Sequence, residues 1–351
     1  MTASHEERDK VKEYLPYNLL RELYLNSRTS ITELTKRFGI SHYTITKSLA
    51  ECQKKYGLIY TLDINTDLLG FSEARIVVIK FGKMPDLKLL NKIICNDIYI
   101  QNAYTAVGDF DLVLHVLAPN PEEYNHWEFR FRIGLSLYKP DVKTSNLNHI
   151  VEGFLPINKD IIEKSKNLKP SEKLILSLLL QNARIEINSI AKSAKISSSK
   201  VIYIIRKLQK RGIIKKFTSC IQSSDKGIAV MYCTRLKFSP NHHKYLLSNL
   251  LNIIIGGENY NNITTDYSLT CEVGGYFDGI DICNFSDGDS FDKRGPNLIK
   301  KEWAEEEPII EQGILIGLIK GIWPFNKNDY YNSKKILDTE MTNPVKFKIY
   351  K

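Results

Sequence analysis

The stretch from Ile187 to Ser224 carries charge of only one sign. It holds nine lysine or arginine residues and no aspartate or glutamate. A solvated helix face usually mixes both signs, so a run of cations favours an anionic partner. Ammonium and guanidinium groups neutralise phosphates, and the whole 351-residue chain has a formal charge of +9. We therefore expect a nucleic-acid surface in this stretch.

One pattern of apolar, capping and glycine residues occurs twice. The two segments are ELTKRFGISHYTITKSLAECQKKYGLI, Glu33 to Ile59, and SIAKSAKISSSKVIYIIRKLQKRGII, Ser189 to Ile214. Each predicts a short helix, a tight turn and a longer helix with a serine cap and a glycine after it. In the second segment Lys195 takes the turn position of Gly39, at a cost of about 1 kcal/mol. The repeat predicts a chain of two similar units.

Each segment predicts a helix-turn-helix whose second helix can enter a DNA major groove. The outward residues near the start of that helix are the candidates for contact with base edges: Ser41, His42, Tyr43, Thr44, Thr46 and Lys47 in the first copy, and Ser197, Ser198, Ser199, Lys200, Tyr203 and Arg206 in the second. Later cations are candidates for phosphate contacts: Lys207, Lys210, Arg211, Lys215 and Lys216. The competing interpretation is a protein–protein module that uses the same fold.

The elements around the first copy complete a winged helix-turn-helix. Tyr17 to Ser27 has apolar residues at helical spacing, and Leu58 to Ile64 alternates like a strand of the wing. Ser30 can cap the middle helix, with Glu33 as its capping-box partner.

The next hundred residues predict the order βαββαβ, a ferredoxin-like sandwich with helices on one face of an antiparallel sheet. Its elements are strand Ala74 to Phe81, helix Asp86 to Cys95, strands Tyr99 to Val107 and Asp111 to Ala118, helix Pro121 to Ile133 and strand Val142 to Ile150.

After a Lys-rich connector the order restarts. A helix at Ser171 to Gln181 precedes the second helix-turn-helix, and a second βαββαβ set follows: Ala229 to Phe238, Asn241 to Ile253, Thr264 to Val273, Gly279 to Phe285, Pro296 to Glu306 and Glu311 to Trp323. The predicted fold class is α+β, with two winged helix-turn-helix domains (15–64 and 170–222) that alternate with two ferredoxin-like domains (70–156 and a degenerate 226–325). A linker (157–169) and a polar tail (326–351) complete the division.

A glycine–acid turn joins the two middle strands of each βαββαβ set. The first reads Val107-Gly-Asp-Phe-Asp111, and the second, Gly275-Tyr-Phe-Asp278, matches it with one residue inserted. This turn, the ELTKRFGIS segment at Glu33 to Ser41 and the domain order resemble the Lrp/AsnC family of transcription regulators. The family usually has one such unit and forms dimers, so the chain resembles two units fused.

The resemblance implies DNA binding, a RAM-type βαββαβ effector domain and modulation by a small effector such as an amino acid. It makes Gly108, Asp109 and Asp111 candidates for effector binding; the alternative is that this turn only connects strands and sets an interface. Tyr276 in place of the first acid, together with a longer loop at Ser286 to Gly295, suggests that the second effector site is altered.

Two other functions share this layout. Siroheme decarboxylases combine the same domains, but their His-x-Tyr-Asn-x-Trp type active-site strand is absent at Val107 to Leu112. The sequence offers no nucleophile–base set, no paired carboxylates and no phosphate loop, so we expect no enzyme and no cofactor. An architectural chromatin protein would use the same helices with little sequence preference.

The remaining features describe compartment and assembly. Six cysteines without CxxC spacing predict reduced thiols in a cytoplasmic protein, and no apolar run is long enough to span a membrane. We expect no metal, because the loop Asp287 to Asp292 lacks calcium-loop spacing. His115 is expected to be structural. The apolar sheets need cover, so we expect an internal pseudo-dimer in preference to a homo-oligomer, with double-stranded DNA as the partner.

Overall fold

The computed structural model of the chain describes residues 15–221, 228–235, 267–285 and 309–321. Several predicted segments lie outside these residues: the helices Asn241 to Ile253 and Pro296 to Glu306, the loop Asp287 to Asp292 and the tail 326–351. The structure therefore describes the predicted elements of the first half, the second helix-turn-helix unit and the strands of the second βαββαβ set.

The described elements follow the predicted order. The first helix-turn-helix unit consists of α1 (Leu15–Leu25), α2 (Ile31–Phe38), α3 (His42–Tyr56) and β1 (Leu58–Ile64). The first βαββαβ set consists of β2 (Glu73–Phe81), α4 (Leu87–Asn96), β3 (Ile100–Gly108), β4 (Leu112–Ala118), α5 (Pro121–Gly134) and β5 (Pro140–Glu152). Short 3-10 turns lie at Asp67–Leu69 and Ser136–Tyr138.

The second half repeats this order. A short helix, α6 (Asp160–Lys164), lies in the connector. The second unit consists of α7 (Pro170–Gln181), α8 (Ile187–Ala194), α9 (Ser198–Lys210) and β6 (Ile214–Ile221). The strands that follow are β7 (Ile228–Arg235), β8 (Tyr267–Gly275), β9 (Gly279–Phe285) and β10 (Ile309–Lys320).

The wings differ from the prediction. The sequence predicts two separate winged helix-turn-helix domains, but β1 pairs antiparallel with β6, so the two units share one two-stranded ribbon. Its centre is the pair of Thr61 and Thr218, which lie opposite one another. The sequence predicts the strand at Leu58 to Ile64 but not its partner, because the pairing joins residues far apart in the chain.

The helices around this ribbon are exchanged between the units. The amide of Ser27, which follows α1, donates to Phe217 O in β6 at 3.0 Å. In the same way, the amide of Ala183, which follows α7, donates to Tyr60 O in β1 at 3.0 Å. The hydroxyls of Thr61 and Thr218 donate to carbonyls near the end of the helix from the opposite unit. Buried side chains of both units form one hydrophobic core.

The remaining eight strands form one closed barrel rather than two separate sheets. Within each half the strands have the order expected of a ferredoxin-like sheet, β5-β2-β4-β3 and β8-β9-β7-β10. The halves join where β10 pairs with β3 and where β5 pairs with β8, both antiparallel. The predicted domains alternate along the sequence, but in space their strands merge into one barrel beside one helical module.

The barrel explains why its strands are apolar on both sides. In β2, Ile76 and Val78 pack in the cluster that includes Met231 and Leu269 from the other half. Their neighbours Val77 and Ile79 pack instead with side chains of α4 and α5. A strand covered on both faces needs apolar residues at successive positions, as this sequence has. In the described strands, the open face of one βαββαβ set therefore packs against that of the other.

Because both seams of the barrel lie within one chain, dilution should not unfold the protein. At concentrations where light scattering reports a mass near 40.4 kDa, we expect circular dichroism to show full secondary structure. The urea midpoint should stay constant over roughly a hundredfold range of concentration. A midpoint that rises with protein concentration would show that a second chain is needed to cover the sheets.

Candidate nucleic-acid interface

The turn of the first unit is held by two caps. Gly39 ends α2 in the left-handed conformation, at φ 65°, and its amide donates to Thr35 O. Ser41 then begins α3, and its hydroxyl oxygen accepts from the amide of Thr44 at 3.2 Å. Ser30 caps α2 as predicted, by accepting from the amide of Glu33 at 3.1 Å. These bonds fix the angle at which α3 leaves α2.

The second unit repeats the turn with one change. Lys195 has φ 52°, the left-handed conformation that the alignment with Gly39 predicted. Ser197 caps α9, and its hydroxyl oxygen accepts from the amide of Lys200 at 3.3 Å. The buried residues of α9 are Val201, Ile204, Ile205 and Leu208, so its opposite face is turned to solvent.

Most of the candidate base-contacting residues are exposed. In α3 and its cap these are Ser41, His42, Tyr43, Thr46 and Lys47, and in the second unit Ser197, Ser199, Lys200, Tyr203 and Arg206. Thr44 and Ser198 are half-buried. The Thr44 hydroxyl lies 2.9 Å from that of Ser41, and the Ser198 hydroxyl donates to Asn188 Oδ1 at 2.7 Å. These two residues therefore also help to hold the turns.

The candidate phosphate-contacting cations fall into two groups. Lys210 and Lys215 are exposed. Lys207 is half-buried, and its ammonium lies 2.8 Å from Glu172 Oε1, while one guanidinium nitrogen of Arg211 lies 3.5 Å from the same oxygen. The ammonium of Lys216 lies 3.8 Å from the ring centre of Tyr24. These three cations contribute to the fold as well as to the charge of the surface.

Glu172 connects the start of α7 to the end of α9. Its side chain is 3% exposed, and its second oxygen accepts from the amide of Lys169 at 2.9 Å. Burial raises its pKa, but the hydrogen bonds from Lys207 and Lys169 and the nearby positive charges outweigh burial, so the pKa lies below the ordinary value. The ionised carboxylate therefore helps to set the position of α9. The role of this residue does not follow from sequence pattern, because Lys207 and Arg211 lie 35 and 39 positions away.

The candidate effector residues lie where the two halves of the barrel meet. The Asp109 amide donates to Gln312 O at 2.9 Å, and Asp109 Oδ2 accepts from the Gln312 amide at 2.8 Å. Asp111 accepts from Lys80 Nζ and from the Phe81 amide, both at 2.8 Å. Both carboxylates are therefore bonded to protein groups, and those bonds cross between the halves at Asp109 but stay within the first half at Asp111.

The two turns correspond residue for residue, without the predicted insertion. Gly108 and Gly275 both have positive φ, at 142° and 122°, and lie opposite Gly313 and Ser145. The Tyr276 amide donates to Thr144 O at 3.3 Å, as the Asp109 amide does to Gln312 O. Each turn thus contacts the outer strand of the other half.

His115 is buried at one edge of the barrel interior. Asn102 Nδ2 lies 3.1 Å from His115 Nδ1 and also donates to Pro156 O at 2.8 Å. Burial lowers the pKa of His115 to about 3, so its ring is neutral at pH 7. The histidine and its asparagine tie the connector after β5 to the barrel, which is a structural role.

One exposed residue of the second recognition helix was not among the candidates. Ile202 is 38% exposed and lies beside Tyr203, which is 66% exposed. The signal that could have found it is the excess of apolar residues in α9, since a helix this short buries only one stripe.

Among the described residues, no cluster of histidine, cysteine and carboxylate groups has the geometry of a metal site. No described helix has the length and apolar character needed to cross a bilayer. All six cysteines are free thiols, and five of them are buried.

Residues 168–215 match the family model described as winged helix-turn-helix DNA-binding. This segment runs from the end of the connector through α9 to the start of β6, and it contains the cations described above except Lys216. The chain therefore carries a helix-turn-helix of the DNA-binding class in its second half. No curated protein matches the chain.

Solved structures share the whole fold. The siroheme decarboxylase NirDL covers 92% of this chain and 98% of its own, with 11% identity and a TM-score of 0.56. Its co-complex with an iron-uroporphyrin III analogue covers 90% of this chain and 96% of its own, with 11% identity and a TM-score of 0.55. An AsnC family transcriptional regulator from Agrobacterium tumefaciens covers 43% of this chain and 97% of its own, with 15% identity and a TM-score of 0.35. At these identities the full-length likeness is one of fold.

Replacing Glu172 with Gln should lower the free energy of unfolding by about 1–3 kcal/mol at pH 7, because charge-assisted hydrogen bonds to Lys207 and Lys169 are lost. The folded pKa lies below the ordinary value of 4.5, so this contribution is full above that value and is lost as the pH falls through the folded pKa. Urea unfolding across this range measures it. The exposed Glu163→Gln variant is the control, and an equal loss there would assign the effect to net charge.

Proposed function

We propose that this chain is a DNA-binding transcription regulator, a tandem form of the Lrp/AsnC arrangement. The observation that carries the proposal is the second helix-turn-helix, whose match to the DNA-binding family coincides with the stretch of nine cations and no acids. The exposed part of α9 presents hydroxyls, cations and one tyrosine. These groups bind base edges and phosphates.

The shared ribbon supports a single DNA-binding body. Because β1 and β6 pair and the helices are exchanged around them, α3 and α9 belong to one packed module. A duplex that contacts one helix meets the other at a fixed spacing, as in dimeric helix-turn-helix proteins that read two half-sites. We propose that one chain supplies both half-site readers.

The proposal includes the division of the chain given by the sequence: helix-turn-helix units at 15–64 and 170–222 and βαββαβ sets at 70–156 and 226–325. It also includes a small effector, such as an amino acid, near Gly108, Asp109 and Asp111. An effector at this turn would exchange the present bonds to Gln312 and Lys80 for its own. Its binding would therefore be coupled to the seam between the halves.

A second candidate function is an enzyme related to siroheme decarboxylase, and the observation that favours it is the full-length likeness of fold. A titration with an iron porphyrin separates the two functions. A saturable shift of the porphyrin absorbance with no duplex binding would favour the enzyme. An architectural role would show as broad coverage of genomic DNA instead of a bipartite motif.

Duplex binding should be strongly salt-dependent, because each neutralised phosphate adds about −0.9 to the slope of log affinity against log salt. A mobility-shift titration of the full chain at several salt concentrations measures this slope. The Lys210→Ala and Lys215→Ala changes should each make the slope less steep by about 0.9, the contribution of one phosphate contact. Lys88→Ala is the matched control, because Lys88 is exposed on α4, which packs on the barrel. No binding at low salt would contradict the proposed function.

The two recognition helices should contribute unequally. Lys200 and Arg206 correspond to Thr44 and Ala50 in the first copy, so the cationic contacts lie mainly on α9. Replacing Lys200 and Arg206 together by Ala should weaken binding more than replacing Thr46 and Lys47 together, since each lost base contact costs about 1–3 kcal/mol. Equal losses in the two double variants would show that the helices read alike.

A further inference from the structure

The second recognition helix presents an apolar pair where its surface is otherwise polar. Ile202 and Tyr203 are the fifth and sixth residues of α9, and they are 38% and 66% exposed. The buried side of the helix is formed by Val201, Ile204 and their neighbours at helical spacing. The apolar pair therefore lies outside the core of the unit, near the start of the helix.

Cations surround this apolar pair. Lys200 precedes it, Arg206 follows it on the same exposed side, and both are exposed. No acidic residue occurs between Ile187 and Ser224. A surface with this charge complements the phosphates that line a groove of duplex DNA. Charge complementarity thus favours DNA over an apolar protein as the partner of the pair.

The major groove has one apolar group, the 5-methyl of thymine. Adenine, guanine and cytosine present only hydrogen-bond donors and acceptors there. An isoleucine side chain, which cannot form hydrogen bonds, gains contact energy at that groove only against such a methyl group. Tyr203 can add ring contact and a hydroxyl for a neighbouring base or phosphate.

The first copy differs at the same positions. Thr46 and Lys47 correspond to Ile202 and Tyr203, and the Thr46 hydroxyl donates to His42 O at 2.9 Å. Conversely, Tyr43, 76% exposed in the first copy, corresponds to Ser199 in the second. The two helices therefore present apolar groups at different heights along their axes.

We infer that Ile202 and Tyr203 determine specificity by contacting thymine methyl groups in the half-site bound by α9. The inference rests on the proposed function and adds the chemistry of its base readout. It assigns Ile202 to the recognition surface and requires thymine at one or two positions of this half-site.

Replacing thymine with deoxyuridine in the bound DNA tests the inference, because this change removes only the 5-methyl group. A duplex selected from random sequence with the full chain would be resynthesised with single deoxyuridine replacements. We expect affinity to fall about fourfold at each contacted thymine, from the transfer free energy of one methyl-sized group. The Ile202→Ala variant should bind the selected duplex more weakly and lose this sensitivity.

Two further variants complete the test. Thr46→Ala, at the matched position of α3, should keep the full sensitivity in the α9 half-site. Exchange of the second pair for the first, Ile202→Thr with Tyr203→Lys, should select an α9 half-site with a weaker thymine requirement, because threonine presents one methyl group in place of the larger isoleucine side chain. Because both positions are exposed, thermal unfolding monitored by circular dichroism should show that the variants are folded.

The outcomes separate this inference from the proposed function. A selected duplex bound equally well with thymine and deoxyuridine at every position overturns the thymine contact and leaves DNA binding intact. Sensitivity that persists in Ile202→Ala and in the exchanged variant also overturns it. If the full chain retains no duplex at low salt, the proposed function itself is contradicted, and the thymine contact is contradicted with it.

Discussion

The pairing of β1 with β6 is the constraint on which the helical module depends. Each helix-turn-helix unit contributes one strand to the ribbon, and the helices α1 and α7 pack on the strand of the opposite unit. Hydrogen bonds from the two central threonines and from the amides of Ser27 and Ala183 cross between units. Because the units share one hydrophobic core, separating them would expose apolar surface from both.

The barrel applies the same arrangement on a larger scale. In the first half, α4 and α5 cover one face of the four-stranded sheet. The other face of this sheet packs against the second sheet inside the barrel. The seams at β3–β10 and β5–β8 leave no free edge among the described strands. Asn102, which lies beside His115, donates to Pro156 O and so holds to the barrel the segment that leaves β5 toward the helical module.

Local elements could be predicted from the sequence because each depends on neighbouring residues. Short apolar runs predicted β2 and β4, helical spacing predicted α4 and α5, and alignment with Gly39 predicted the left-handed conformation of Lys195. Interactions between distant residues could not be predicted in this way. The exchange of the wing strands, the contact of Glu172 with Lys207 and the bonds of Asp109 to Gln312 join groups that only the folded chain brings together.

The same limit applies to the candidate site. The serine caps and the exposed polar residues of α3 and α9 followed from pattern, since both depend on helical geometry. The exposure of Ile202 required the structure, because residue type alone assigns an isoleucine to the core.

The seams of the barrel show what a single chain gains over an assembly of identical subunits. At one seam Gly313 leaves room for the ring of Phe110, since a Cβ there would lie 2.5 Å from a ring atom. At the other seam the equivalent position is Ser145, whose hydroxyl oxygen accepts a hydrogen bond from the Phe277 amide at 3.0 Å. A symmetric homodimer must accept every mutation at both seams at once. Here each seam can mutate separately, so the two halves are free to diverge while the barrel stays closed.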